Sequence, residues 1–245
     1  MFYIIGIGLT PKQITQEALD IIKECNFVYL DNYTSAFSQG SLDDLEKFIS
    51  KKIICLSRED LEQKQEFIKD NCCLLVIGNP LSATTHFSVY EEAVKRGLVC
   101  KILPGISIFS YKGICGLSEY KFGKTISIVY PKPNYAPTSF FEVLKQNLFI
   151  GAHTLCLLDI DTEKNIFMNI KDACDILKKI DTKNILNKCI AIGLGGLGSN
   201  TQEIVVFNFE DYKNIYLKQF PQSLIICGEL NDFEKEALDG FKYRK

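Results

Sequence analysis

The sequence predicts an α/β protein built from two successive α/β domains, and three observations carry that expectation. Strand-like and helix-like segments alternate through the first half, β-type segments become denser in the second, and glycines cluster between Gly113 and Gly123. Alternation of this kind predicts a mostly parallel sheet with helices on both faces. The denser β signal predicts a mixed sheet after the junction. The expected domains are 1–115 and 116–245.

Phe2 to Gly8 reads as a strand running into a glycine turn, and Thr15 to Cys25 as an amphipathic helix with Ala18, Ile21 and Ile22 on one face. Phe27 to Leu30 is a second strand. Leu42 to Ile49 is an acidic helix for which Ser41 is a suitable cap. A third strand, Ile53 to Leu56, precedes a helix expected over Asp60 to Asp70. The apolar run Leu74 to Ile77 is a buried strand, followed by a helix around Tyr90 to Lys95 and a fifth strand, Leu98 to Leu103, ended by Pro104-Gly105. The second half offers strands at Thr125–Tyr130, Thr154–Leu158, Cys189–Leu194, Ile204–Phe209 and Leu224–Cys227. Its helices are expected at Thr138–Asn147, Asn169–Lys179 and Asn231–Leu238.

With 47% hydrophobic and 24% charged residues, the 245-residue chain can bury a substantial core. A net charge of −2 argues against general affinity for nucleic acid or anionic membrane. Arg58, Arg96 and Arg244 are the only arginines, so bidentate phosphate recognition is poorly supplied. The ten cysteines lack Cys-x-x-Cys spacing, and most sit in apolar runs such as Ile54-Cys55-Leu56, where a free thiol packs as a small hydrophobe. Two histidines, His86 and His153, cannot by themselves supply a familiar metal site. No apolar stretch approaches the roughly 20 residues of a membrane span. These features predict a cytoplasmic protein that needs no metal.

Gly78 to His86, GNPLSATTH, is the most informative stretch. It follows a buried strand and places Ser82, Thr84, Thr85 and His86 just past the strand's carboxyl end, where ligands settle in open α/β sheets. Helix capping fits the same residue types equally well. PGISIFS, Pro104 to Ser110, leaves the same two readings open for Ser107. Gly6-Ile7-Gly8 lacks the third glycine of a dinucleotide fingerprint, with Pro11 in its place. GLGGLG, Gly193 to Gly198, matches the letters but runs into SNTQEIVVF, which reads as loop and strand where the fingerprint requires a helix.

Seven segments occur in a characteristic order and spacing: GIGL, DNYTS (Asp31 to Ser35), LSRED (Leu56 to Asp60), GNPLSATTH, SIFSYKGICGLSEYKFGK, YPKPNYAPTSFFEV and GAHTLCLLDI. The series resembles the diphthine synthase family, within the tetrapyrrole-methylase-like class of S-adenosylmethionine-dependent methyltransferases. YKFGK, PTSFF and HTLCLLDI carry the narrower resemblance; the glycine turn and GNP loop carry the broader one. It implies a tetrapyrrole methylase-like fold with S-adenosylmethionine in a cleft between two domains, and a homodimer. It further implies translation elongation factor 2 as protein substrate, methylated repeatedly on the amine of an aminocarboxypropyl-histidine and, in some members, also esterified on its carboxylate. Matched motif to motif, cofactor contacts are expected at Leu9, Asn79, Ser82, Ser107, Ile108, Leu158, Leu197 and Gln222. Three positions depart from the family pattern: Asn79 stands where a carboxylate is usual, Gly196 where an arginine is, and Gln222 where a histidine is common.

The resemblance requires no protein nucleophile, because the methyl arrives activated. The amine must be neutral to attack, and an α-amino group with a reference pKa of about 7.7–8.0 supplies some neutral fraction unaided. The chemistry calls for no strong catalytic base; His86 is the one ionisable group in these loops suited to neutral pH, with helix capping or packing as its other reading. Tyr120, Tyr130 and Tyr135 could present ring faces to the methylated cation, or pack in the core. Two rivals stand beside this reading: a methylase of tetrapyrrole carbon, and a non-catalytic scaffold that binds the elongation factor.

Overall fold

A computed structural model describes residues 1–133 and 135–243. The chain groups into two compact units. The first holds Met1–Ser110 with two later returns, Asp161–Asn165 and Gly198–Asn200. The second holds Tyr111–Ile160, Ile166–Leu197 and the chain from Thr201 onward.

In the first unit, strands β1 (Phe2–Gly6), β2 (Phe27–Asp31), β3 (Ile54–Leu56), β4 (Cys72–Val76) and β5 (Cys100–Leu103) form one sheet in the order β3-β2-β4-β1-β5. Every pairing in it is parallel. Successive side chains point to opposite faces, which splits the core in two. Ile5, Val28, Leu30, Cys73 and Leu75 face helices α1 (Gln16–Glu24) and α2 (Leu42–Ile49) through Ala18, Ile22, Leu45 and Ile49. Phe2, Ile4, Tyr29, Leu74 and Val76 face the other way, against Leu61, Phe67 and the Val89 and Ala93 side of α3 (Phe87–Lys95). Because both faces are covered, β4 is buried at every residue, as its unbroken apolar run requires.

Local chemistry fixes the helix starts. Thr15 accepts from Ala18 N at the head of α1, and Ser41 forms a capping box with Asp44 at the head of α2. The helix expected over Asp60–Asp70 is instead a π-helical turn of five residues, Asp60–Lys64, ended by Gln65 at φ 49°. Leu61 and Phe67 must both reach one core, yet a continuous helix would set them about 120° apart around its axis. Breaking at Gln65 brings both inward.

The second unit is built on β6 (Ile126–Ile128), β7 (Thr154–Leu158), β10 (Ile190–Gly195), β11 (Glu203–Asn208) and β12 (Gln222–Ile226), ordered β11-β10-β12-β7-β6. The β6–β7 pair is parallel and the others antiparallel, so the sheet is mixed. A short pair, β8 (Ile160–Asp161) with β9 (Ile166–Phe167), follows β7. Helices α5 (Ser139–Phe149) and α6 (Ile170–Ile180) pack Phe141, Leu144, Ala173 and Leu177 onto Ile128, Cys156 and Leu224. The terminal helix α7 (Asp232–Asp239) opens with a capping box of Asn231 and Glu234. The ten cysteines are free. No helix among the described residues is long and apolar enough to cross a membrane.

Candidate cofactor site

Three strands of the first unit deliver bare backbone to one place. A Cβ added to Gly6, which ends β1, would lie 2.5 Å from Gly105 N and 2.7 Å from Gly78 O. One added to Gly105, just past β5, would lie 2.3 Å from Gly78 O. Side chains are therefore excluded where the carboxyl ends of β1, β4 and β5 meet. Gly8 and Gly78, at φ 79° and 88°, bridge through Gly78 N to Gly8 O at 2.9 Å. The positive φ at both positions suits glycine above all other residues.

This convergence sets Leu9, Asn79, Ser82, Ser107 and Ile108 on three neighbouring loops of one unit. Leu9 is half-buried; its N–H donates to Gln13 Oε1 at 2.8 Å and its carbonyl accepts from Ser38 N at 2.9 Å. Asn79 Oδ1 accepts from Leu81 N at 3.0 Å, and Ser82 N donates to Asn79 O at 3.1 Å, so the GNP loop closes as a tight turn. Ser107 Oγ accepts from Phe109 N at 3.3 Å at the start of the short helix α4 (Ile108–Tyr111). Ser107 is buried, and its Cβ lies 3.7 Å from where Gly78 would carry one.

Leu158, Leu197 and Gln222 lie at one end of the second unit's three central strands. Leu158 ends β7, Gln222 begins β12 and pairs with Gly195, and Leu197 follows β10 by two residues. All three are buried. Gln222 is held from within: Oε1 accepts from Ile170 N at 2.9 Å, while Nε2 donates to Leu217 O and Gln219 O at 3.1 and 3.2 Å. A ligand contact there falls to its main chain. Gly196 sits at φ 56° with its N–H on Pro221 O, and turns follow it before β11, so the GLGGLG run has no helix behind it.

Past the GNP turn lies a polar line that sequence reasoning did not assemble. Asp31, the last residue of β2 and 1% exposed, accepts from His86 Nε2 at 2.8 Å. It also accepts from the backbone N–H groups of Tyr33 and Thr34 and from the Thr34 hydroxyl. Burial pushes the Asp31 carboxyl up, but the hydrogen bonds from His86 and Thr34 outweigh it and hold the group below the usual carboxylate range. Nδ1 of His86 meets the Thr84 hydroxyl. His86 precedes α3 yet makes no side-chain cap, so the capping reading does not hold. The one available signal was an aspartate ending the apolar strand FVYLD, and its partner lies 55 residues away.

The tyrosines separate. Tyr130 packs against the second core and donates to Asp172 Oδ2 at 2.5 Å, while Tyr120 and Tyr135 are exposed. His153 and YKFGK meet in a buried knot instead. His153 Nε2 faces Glu234 Oε1 at 3.2 Å, its Nδ1 accepts from Gly228 N at 3.1 Å, and Lys121 Nζ reaches Glu234 Oε2 at 2.7 Å. Among the described residues, no group of three or more His, Cys, Asp or Glu could hold a metal ion.

Residues 1–211 match the model of the tetrapyrrole (corrin/porphyrin) methylases, and the chain belongs to that class. It is 38% identical to diphthine synthase of Staphylothermus marinus, over 97% of this chain and 92% of that protein. It is 33% identical to diphthine methyl ester synthase of Bos taurus, over 98% and 95%. A solved structure of a diphthine synthase, 28% identical, superposes with a TM-score of 0.88 over 99% of this chain and 96% of its own. Within the methylases, the chain is a member of the diphthine synthase family.

Proposed function

We propose that this methyltransferase binds S-adenosylmethionine and methylates, repeatedly, the amine of the aminocarboxypropyl-histidine of elongation factor 2 in diphthamide biosynthesis. It does so as a cytoplasmic homodimer. The observation that carries the reading is similarity to diphthine synthases along essentially the whole chain, at 38% identity to the Staphylothermus marinus protein. The rival methylation of tetrapyrrole carbon is not favoured, since these relatives are named for diphthine chemistry.

The residues suit the cofactor. At the Gly6–Gly78–Gly105 convergence backbone packs directly on backbone, which fixes the loops carrying Leu9, Asn79, Ser82, Ser107 and Ile108 beside one another for the cofactor. Leu9, Ile108, Leu158 and Leu197 would shield the adenine from water. Asn79 and Ser82 would meet the ribose or methionine end, Asn79 through an acceptor without charge. Ser107 would hold the ligand through its backbone, and Gln222 through its main chain alone.

When bound, S-adenosylmethionine supplies a methyl on a sulfonium, so that a neutral amine displaces sulfur with no covalent enzyme intermediate. The chain must hold that amine in line and exclude water, a contribution worth roughly 7–11 kcal/mol of barrier. Incubating the protein and cofactor with aminocarboxypropylated elongation factor 2 and measuring its intact mass tests the reading. Sequential gains of about 14 Da per methyl group, lost when the acceptor histidine is replaced, are expected; an unchanged mass refutes it.

A further inference from the structure

Asp31, His86 and Thr84 form a hydrogen-bonded line that starts inside the first unit and ends in the GNP loop. Asp31 is 1% and His86 5% exposed, whereas Thr84 is only half-buried. An ionised Asp31 only accepts, so His86 Nε2 carries the hydrogen between them. That tautomer leaves the Nδ1 lone pair for the Thr84 hydroxyl. The line thus presents a base on its buried side and a hydroxyl on its open side. Each methylation of an amine begins by removing a proton from the ammonium, and repeated methylation repeats that demand.

We propose that Thr84, His86 and Asp31 relay the proton lost by the substrate ammonium before each methyl transfer, an inference that rests on the functional reading above. The ammonium N–H bond breaks and its electron pair stays on nitrogen. That proton joins Thr84 Oγ1 while the Thr84 hydroxyl proton passes to His86 Nδ1. The imidazolium is then balanced by the Asp31 carboxylate. The proton returns through Thr84 to solvent, and the neutral base is restored for the next round. Methylation leaves an ammonium with one N–H fewer than the amine would carry if protonated, so the relay has nothing further to remove once three methyls are in place. The titratable groups facing this line are Asp31 on β2 and, beyond it, the Tyr33 phenol with Glu62 and Arg58, which pair with each other.

The test compares wild type, His86→Gln, Thr84→Val and Thr84→Ser as full-length protein, following methyl incorporation into elongation factor 2 with saturating cofactor. His86→Gln and Thr84→Val are expected to lose about 15- to 30-fold at about pH 6.5 and to approach wild type within about threefold at about pH 9, where the amine is neutral unaided. Thr84→Ser retains the hydroxyl and should follow wild type. A second readout needs no turnover: with two histidines in the chain, nitrogen NMR of the imidazoles should show His86 as the Nε2–H tautomer at neutral pH. A loss of equal size at every pH, full activity in Thr84→Val, or an Nδ1–H tautomer overturns the relay. Should His86→Gln fail to fold by circular dichroism, the Thr84→Val and Thr84→Ser pair decides. A wild-type protein that transfers no methyl overturns the functional reading itself, a result distinct from active enzyme with parallel pH profiles.

Discussion

Glu234 Oε1 lies 3.2 Å from His153 Nε2, and neither side chain touches solvent. The same carboxylate accepts from Lys121, Ser118 N and Asn231 N, so one buried group ties the start of α7 to the glycine-rich segment and to β7. The segments YKFGK and HTLCLLDI thus meet in a structural role.

That knot predicts acid sensitivity. Burial pushes the Glu234 carboxyl up, but hydrogen bonds from Lys121, Ser118 N, Asn231 N and His153 pull it from 4.5 to about 2. A depressed carboxyl stabilises the fold fully above its unfolded value, and the contribution fades as pH falls from about 4.5 to about 2. Burial also holds His153 below its ordinary value of 6.5, so stability declines as pH drops through that range. Glu234→Gln should cost about 3 kcal/mol at neutral pH, and its denaturant midpoint should vary less than wild type's in the lower window.

The glycine convergence predicts a sharp contrast. Gly105→Ala places a methyl 2.3 Å from Gly78 O and 2.6 Å from Gly6 C, both backbone. It should cost about 1–3 kcal/mol of stability and weaken S-adenosylhomocysteine binding in calorimetry. Gly240→Ala meets nothing closer than 3.8 Å and should be nearly neutral in both measurements.

Gln222 separates internal from ligand-facing roles. Gln222→Leu strands Ile170 N and two carbonyls in the interior, so chemical denaturation should show a loss of about 1–3 kcal/mol. Affinity for S-adenosylhomocysteine should fall far less than in Gly105→Ala.

The two capping boxes offer a simpler check. Ser41→Ala and Asn231→Ala each remove an acceptor for a helix's first N–H groups, and each should cost about 1 kcal/mol by thermal unfolding.

Much of this architecture was readable because periodicity and caps are local. The apolar run Leu74 to Ile77 announced a buried strand, which the structure has at Cys72–Val76, and Ser41 placed the start of α2 where the structure has it. The five candidate residues of the first unit fell on adjacent loops because they follow the carboxyl ends of parallel strands. What stayed hidden depends on contacts distant in sequence. His86 finds Asp31 across 55 positions, and Gln222 finds Ile170 across 52. The segment after Asp60 misled because its composition favours helix while Phe67 and Ile68 are needed in the core, which breaks the helical register.

The first unit is discontinuous, and its late returns are bonded in. Thr162 Oγ1 donates to Asn32 O at 2.8 Å, and Asn200 N donates to Gln39 Oε1 at 2.9 Å. On a ribosome, the loop behind β2 therefore waits for residues made long after its own sheet has emerged. A nascent chain stopped at Ser110 would own all five parallel strands yet lack the anchors of that loop, leaving it open to proteases until synthesis passes Asn200.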